Sequence, residues 1–537
     1  MEGGKHWRRS LGSGGPALNR LEIRRTTRYF SGGIHPSPLT RIPPSAMMVK
    51  YGGDPDLPEN FPTLTLILKE KSMLHRRNFL KDAAVLTAAA TAIPLSNEMK
   101  PVWAQAPSDR LRMGCIGVGS MGRGDAHGFN GLCDIVAICD LDEDYGLART
   151  INSGLGKRDA NGQVIKPDTY KDYRRVLERD DIDVVTVVTP DHWHVKIAIE
   201  ALQAGKHVFC QKPLTLTLEE NKLIRKACDR YGKTFQVGTQ QRSQYNQFAK
   251  AALMVRAGLL GEIKKITCDI GGSPTSGDIP KMDPPANFDW NTYLGQAPYT
   301  DFLGQGDFLS RNNRDNRFGQ TRCHYEFRWW YEYSGGKFTD WGAHHIDCAL
   351  WSLDMLKDGM GPTSINPIVA EHPVPFKDGY PTVTNRYNTS HNFDIQLMFP
   401  NGMEMRVVSH SPDGNGILFE GTKGKMHVSR GRIKGKPIEE LAPDAFSQAD
   451  FDGLYNGKPF EGHKNNFIRC IREGGKPVSD VWSHVKAMNC CHLSGIAARL
   501  GRKIEWDPVK EEIINDAHAA TFAAREQRKG FEIPRDF

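Results

Sequence analysis

The 537-residue sequence lacks several features that would place it quickly. Its eleven cysteines include no Cys-x-x-Cys pair, so no zinc ribbon or thioredoxin-like centre is encoded. Nor do they form a disulfide framework. Cys115 and Cys139 sit in apolar, strand-like runs, and the adjacent Cys490 and Cys491 read as helix and core filler. No internal repeat and no long low-complexity tract interrupts the chain after residue 106. An excess of one charge is also missing where it would matter. The net charge is +7, but residues 1–106 hold 15 Lys and Arg against 8 Asp and Glu, and the rest holds 55 of each sign. A neutral body carries no nucleic-acid footprint. The length allows two or more domains with ample core.

The basic excess belongs to a leader. Its segment "HRRNFLKDAAVLTAAATAIPLS", His75 to Ser96, resembles a twin-arginine export signal: Arg76-Arg77 are followed by Asn78-Phe79-Leu80-Lys81, with His75 in place of the usual Ser or Thr. The apolar run Ala83–Pro94 is about a dozen residues, short of the roughly 20 a spanning helix needs. Ala104-Gln105-Ala106 fits a small-residue cleavage site. Residues 1–72 are rich in Arg, Pro and Gly, and Met73 immediately precedes the signal. The expectation is therefore an extension over 1–72 that is mis-called or disordered, a signal over 73–106, and an exported, periplasmic protein with no stable membrane span after cleavage.

The body opens on "LRMGCIGVGSMGRGDAHGF". Leu111–Ile116 is a short apolar strand, followed by Gly117-Val118-Gly119-Ser120-Met121-Gly122 and a predicted helix. A second strand, "DIVAICD", ends in Asp140. This is the setting a GxGxxG dinucleotide fingerprint requires. Gly117 permits the tight turn. Gly119, Ser120 and Met121 bring backbone to a pyrophosphate at the helix N-terminus, and Gly122 allows close helix–strand packing. Asp140 lies where a carboxylate meets ribose hydroxyls. Its charge opposes a 2′-phosphate and no Arg follows directly, so NAD is expected over NADP.

Strand and helix continue to alternate through Arg242, with strands at Val184–Val188 and His207–Cys210 and a helix near Trp193–Ala204. That pattern predicts a doubly wound parallel sheet, with ligands at the carboxyl ends of its strands. Two loops fall there. Thr189, Pro190, His192 and His194 of the first, and Gln211 and Lys212 of the second, are expected to meet the cofactor.

The glycine-rich strand–turn, the "TPDHWH" loop and the "CQKPL" loop, in this order, resemble the glucose–fructose oxidoreductase/inositol dehydrogenase (Gfo/Idh/MocA) family, over essentially all of 111–537. The resemblance implies an NAD-binding Rossmann domain (107–240). It is followed by an α+β substrate and oligomerisation domain with a large, mainly antiparallel open sheet (241–537), whose C-terminal helices pack back on the first. It further implies a homo-oligomer that oxidises a sugar or cyclitol hydroxyl with a nicotinamide cofactor. The family loop reads Glu-Lys-Pro; here Gln211 replaces Glu and removes a charge beside the retained Lys212.

In "SGGKFTDWGAHHIDCALW", the family's catalytic Asp-x-x-x-His falls on Asp340 and His344. An imidazole suits removal of a carbinol proton, a carboxylate one turn away can orient it, and Lys212 can stabilise a developing alkoxide. Asp340, His344, His345 and Asp347 could instead bind a metal, but i,i+4 supplies two ligands and no third is evident, so none is expected. Arg242, Arg328 and His345 are candidate substrate contacts, although His345 is better suited to packing or a backbone bond, and the aromatics at 329–333 are at least as suited to packing or an oligomer interface as to a sugar face.

Later segments read as β-hairpins around Asn401-Gly402 and within 416–431, and as helices over His463–Glu473 and Trp482–Leu500. Three functions stay open at this stage: a net dehydrogenase, a redox-neutral glycoside cleavage through a keto-sugar, and a non-catalytic NAD- or sugar-binding module. For either enzyme, NAD held tightly through twin-arginine export is the expectation, because that route carries folded proteins.

Overall fold

The computed structural model describes residues 110–305 and 319–537, apart from residue 160. The twin-arginine motif, the expected cleavage site and Met73 lie outside the described residues.

The first sheet is built from β1 (Arg112–Ile116), β2 (Asp134–Cys139), β3 (Asp168–Tyr170), β4 (Val184–Val187), β5 (His207–Cys210) and β6 (Phe235–Val237). Its order is β3-β2-β1-β4-β5-β6, with every pair parallel. Such strands are covered on both faces, which is why they read as apolar runs rather than alternating ones. Three helices supply cover: α1 (Ser120–Asn130), α2 (Asp191–Gln203) and α3 (Leu218–Tyr231). The order reverses between β1 and β4, and the crevice outside their carboxyl ends is the binding position of an open α/β sheet. Helix α2 starts two residues earlier than its apolar period indicates, because Pro190 serves as its N-cap residue.

The second sheet has nine strands. In chain order they are β7 (Ile263–Asp269), β8 (Ser364–Glu371), β9 (Asn392–Met398), β10 (Glu404–Val408), β11 (Gly416–Gly421), β12 (Gly424–Val428), β13 (Ile433–Lys434), β14 (Ile504–Asp507) and β15 (Glu512–Ile514). Their spatial order is β13-β12-β11-β7-β10-β9-β8-β14-β15. All pairs are antiparallel except β7–β10. Alternation decides which face is core: Phe393, Ile395 and Leu397 of β9, and Met405 and Val407 of β10, point inward. Between β9 and β10 the chain turns at Asn401-Gly402, where Gly402 has a left-handed φ of 79°.

Against that inner face lie α4 (Lys337–Asp340), α5 (Gly342–Ser352) and α7 (Val481–Leu500). Before α7 comes α6 (His463–Glu473). Helix α7 is capped at both ends. Asp480 accepts from the Ser483 N–H, and Gly501 closes it in the left-handed conformation. It also reaches the first sheet's helices: Asn221 Nδ2 donates to Asn489 Oδ1 at 2.8 Å, and Trp482 Nε1 donates to Asp229 at 2.9 Å. Among the described residues no helix is long and apolar enough to cross a membrane.

A buried ion pair fixes α5 to the end of the first sheet. Arg242 donates through Nε and Nη2 to the two oxygens of Asp347 at 2.7 and 2.6 Å, and its Nη1 reaches Val478 O at 2.7 Å. His484 of α7 adds a contact to Asp347 at 3.0 Å. The Asp347 carboxyl is buried, but Arg242 and His484 hold it below the usual carboxylate range. Arg242→Met removes the bidentate partner and leaves the buried carboxylate with the His484 contact, and is expected to cost about 3–5 kcal/mol. The double variant R242M/D347L is expected to recover most of it. Urea unfolding checks this; a double variant no more stable than R242M would contradict it.

Candidate active site

The nucleotide end of the site is shaped by backbone. Gly117 has φ 78°, and a Cβ there would lie 2.5 Å from Val188 O; a Cβ on Gly122 would lie 1.8 Å from Gly117 O. Both positions demand glycine. The turn delivers Ser120 and Met121 to the start of α1, where unpaired N–H groups favour an anion. Asp140 closes this end. Its oxygens accept from Val118 N at 2.8 Å and Asp142 N at 3.0 Å. Burial pushes the Asp140 carboxyl up to about 6, although these two bonds pull it down.

A cavity of about 870 Å³ runs from this turn to the second sheet's helices. Gly117, Gly119, Ser120, Met121, Gly122, Asp140, Thr189, Pro190, His194, Gln211, Lys212, Arg328, Asp340 and His344 all line it. Glycines that no Cβ could replace, a helix start and a ribose-height carboxylate fit a dinucleotide.

The far end holds the charged groups. Lys212, at the end of β5, donates from Nζ to Asp340 Oδ1 at 2.7 Å and to the Asp340 carbonyl at 2.9 Å. Arg328 Nε and Lys337 Nζ stand 3.7 Å from the same carboxylate. Burial alone would raise the Asp340 carboxyl; Lys212, Arg328 and Lys337 outweigh it and hold the group far below the usual range. His344, 4% exposed, is depressed well below an ordinary imidazole by burial and then by Lys212 and Arg430. Its ring is therefore neutral at pH 7. Neither nitrogen hydrogen-bonds within the described residues, and Nδ1 is buried.

Several sequence expectations change here. Asp340 and His344 do not share one helix: α4 ends at Asp340 and α5 begins at Gly342. The Asp340 carboxylate bonds Lys212, not the imidazole. His192 does not line the cavity. Because α2 begins at Asp191, its ring turns toward the aromatic cluster, with Nε2 2.9 Å from Tyr293 O, and burial drives it down to about 3. Arg242 is committed to Asp347 and does not line the cavity. His345, one residue round the helix from His344, points away and meets Asn415 Oδ1 at 3.1 Å. Of the aromatics, Trp329, Trp330 and Tyr333 are buried in a cluster with Trp290 and Tyr293.

Other lining residues carried no local signal. Arg430, just past β12, and Phe531, near the C-terminus, reach the cavity from far along the chain. Asp191 lay in the loop read from the sequence but was given no role. It accepts from Ser334 Oγ at 2.6 Å, and burial pushes its carboxyl up to about 7 against the pull of Ser334 and Arg328. Among the described residues no group of three or more His, Cys, Asp or Glu is placed to hold a metal ion.

Gln211 has a specific partner: its Nε2 donates to Asp125 Oδ2 at 2.6 Å, while Lys464 holds the other Asp125 oxygen at 2.8 Å. The negative charge that the family loop carries at this position thus stands across the contact, on α1.

Two family profiles match the chain: an oxidoreductase family NAD-binding Rossmann fold over residues 111–239, and an oxidoreductase family C-terminal alpha/beta domain over 274–533. Among curated proteins, a "Glycosyl hydrolase family 109 protein" of Shewanella pealeana is 34% identical over 215 residues, 35% of this chain and 44% of that protein. One from Shewanella baltica is 33% identical over 207 residues, with the same coverages. The match thus spans less than half the length of these relatives. Among solved structures, aldose-aldose oxidoreductase from Caulobacter crescentus, complexed with glycerol, is 18% identical with a TM-score of 0.49, over 74% of this chain and 99% of that one. The WlbA dehydrogenase from Bordetella pertussis, in complex with NADH and UDP-GlcNAcA, is 18% identical with a TM-score of 0.49, over 74% and 98%.

Gln211→Glu sets two carboxylates in contact and removes a donor. It is expected to destabilise by about 1–3 kcal/mol at neutral pH. Adding Asp125→Asn should restore stability by reversing the pair. Thermal unfolding of both variants checks this, and a fully stable Q211E would contradict it.

Proposed function

Because the chain belongs to the Gfo/Idh/MocA family of oxidoreductases, we propose that it transfers hydride between a sugar or cyclitol CH–OH group and a nicotinamide cofactor, NAD in preference to NADP. The observation that carries this reading is that Lys212 and His344 open onto the same cavity as the glycine turn. NAD, when bound, supplies a hydride acceptor and donor. The remaining chemistry falls to side chains. Lys212, held by Asp340, donates a hydrogen bond to the substrate oxygen and stabilises negative charge as the hydroxyl proton leaves. His344, neutral and with no hydrogen-bond partner among the described residues, accepts that proton. Asp340 positions Lys212. Asp140 and Asp142 both line the nucleotide end, and their charges disfavour a 2′-phosphate.

A second reading is favoured by the likeness to glycosyl hydrolase family 109 proteins. Oxidation of a ring hydroxyl acidifies the neighbouring C–H, the glycosidic oxygen leaves by elimination, water adds, and hydride returns to the carbonyl. The two readings use the same hydride geometry and differ in net consumption of NAD. Accumulation of reduced nicotinamide in step with substrate loss supports the dehydrogenase. Glycoside cleavage without it supports the redox-neutral cycle.

Export through the twin-arginine route, with NAD bound tightly before translocation, belongs to the same proposal. Its supports are the Arg76-Arg77 motif and eleven cysteines that are all buried and free, as expected of a chain folded under reducing conditions. Recovery of exported protein without nucleotide, and with weak NAD affinity, would count against it.

Lys212→Ala is expected to lower kcat by about 10²–10³. Unchanged turnover would instead favour a binding module. The depressed His344 titration has a definite sign. Protonation removes the base, and it occurs below the ordinary 6.5, so the acid limb of kcat/KM should lie below 6.5. A limb at or above 6.5 that disappears in His344→Gln would contradict the assignment.

A further inference from the structure

The hydride end of the cavity has more positive charge than its chemistry needs. Asp340 faces Lys212 at 2.7 Å, and Arg328 and Lys337 both at 3.7 Å; the second carboxyl at this end, Asp191, is bonded to Ser334 and pushed up to about 7 by burial, so it neutralises the cations only in part. Lys212 alone completes the pair. Lys212 and Arg328 line the cavity, Lys337 does not, and Arg430 adds a further lining cation that has no carboxylate within ion-pair distance among the described residues.

Both arginines are held in place from behind. The Arg430 guanidinium lies 4.5 Å over the Trp341 ring, and its Nε donates at 3.0 Å to Gln241, a residue 1% exposed. Arg328 stacks on Tyr325 and Phe327, at 4.4 and 4.7 Å, and donates from Nη1 to Tyr325 O at 3.0 Å. Arg328 Nη2 and both Nη groups of Arg430 meet no acceptor in the described residues. A guanidinium so fixed is a ready receptor for a two-oxygen anion. The cofactor pyrophosphate has its own donors at the start of α1, and the cations that line the nucleotide end, Lys171 and Arg174, are each paired with a carboxylate, Glu143 and Asp172.

We infer that the sugar carries an anionic substituent, a carboxylate or a phosphate, received by Arg328 and Arg430 beside the reacting hydroxyl. The inference rests on the hydride-transfer reading for the identity of the sugar, but the anion receptor stands on the arginines alone. A bound anion also offsets the positive field around His344, and so favours uptake of the hydroxyl proton by that ring.

The test is calorimetric titration of the full chain saturated with NAD+. The probes are methyl glycosides of gluco-, galacto- and manno-configured hexuronates, their methyl esters, the parent hexosides, and the matching hexose 6-phosphates. For at least one configuration the charged sugar should bind tenfold or more tightly than its neutral counterpart. That advantage should fall below threefold in Arg430→Gln and in Arg328→Gln. The tighter of the uronate and phosphate arms names the anion. Equal affinity for charged and neutral sugars, no binding of any charged sugar, or an advantage untouched by both substitutions would overturn the inference. So would a loss of NAD+ affinity in both variants that accounts for the whole effect. Charged-sugar preference without hydride transfer would sink the oxidoreductase reading and leave this one standing. Oxidation of neutral sugars without that preference would do the reverse.

Discussion

The contact between Lys212 and Asp340 organises the site. It joins the end of β5 to the end of α4, residues 128 apart in sequence, through both the carboxylate and the main-chain carbonyl of Asp340. A buried carboxylate at this position would protonate if unpaired. With Lys212 against it and Arg328 and Lys337 behind, it stays ionised and spends its hydrogen-bonding capacity on the lysine. Two consequences follow. The ammonium is fixed beside the cavity, and the imidazole of His344 is left with no hydrogen-bond partner among the described residues, in a positive field where it stays neutral.

Charge elsewhere in the same helices has a different task. Asp347, one turn beyond His344, is fully enclosed by Arg242 and His484 and sees no cavity. Two Asp residues seven apart, one ending α4 and one within α5, therefore divide the work. Asp340 is surrounded by more cations than it can neutralise and faces a space that admits ligands. Asp347 is matched and sealed, and holds α5 against the first sheet and α7. Gln211 and Asp125 show the same economy at the glycine turn, where one negative charge is shared between an amide and Lys464.

Much of this was legible in the sequence because it is local. The glycine turn, Asp140, the strand–helix alternation and the Asn401-Gly402 turn are each set by a few neighbouring residues; the edge strand Asp168–Tyr170, three residues long and largely exposed, has no apolar run to mark it. Lys212, Asp340 and His344 were found by motif and share the cavity. What the sequence could not show depends on side-chain direction. His192 and His194 are two apart in one loop, yet the early start of α2 sends the first to Tyr293 and keeps the second on the cavity wall. His344 and His345 divide in the same way. Arg242 resembled a site arginine until its partner, 105 residues on, was placed. Arg430 and Phe531 come from distant segments with no motif around them.

The central claim is that Lys212 and Asp340 act as one unit in hydride transfer. A double-mutant cycle on Lys212→Met and Asp340→Asn, read as single-turnover reduction of bound NAD by a sugar substrate, tests it most directly. If Asp340 acts by holding Lys212, each single variant loses most of the rate, and the double variant is no slower than the slower single one. Losses that multiply in the double variant would show two independent contributions and contradict the account.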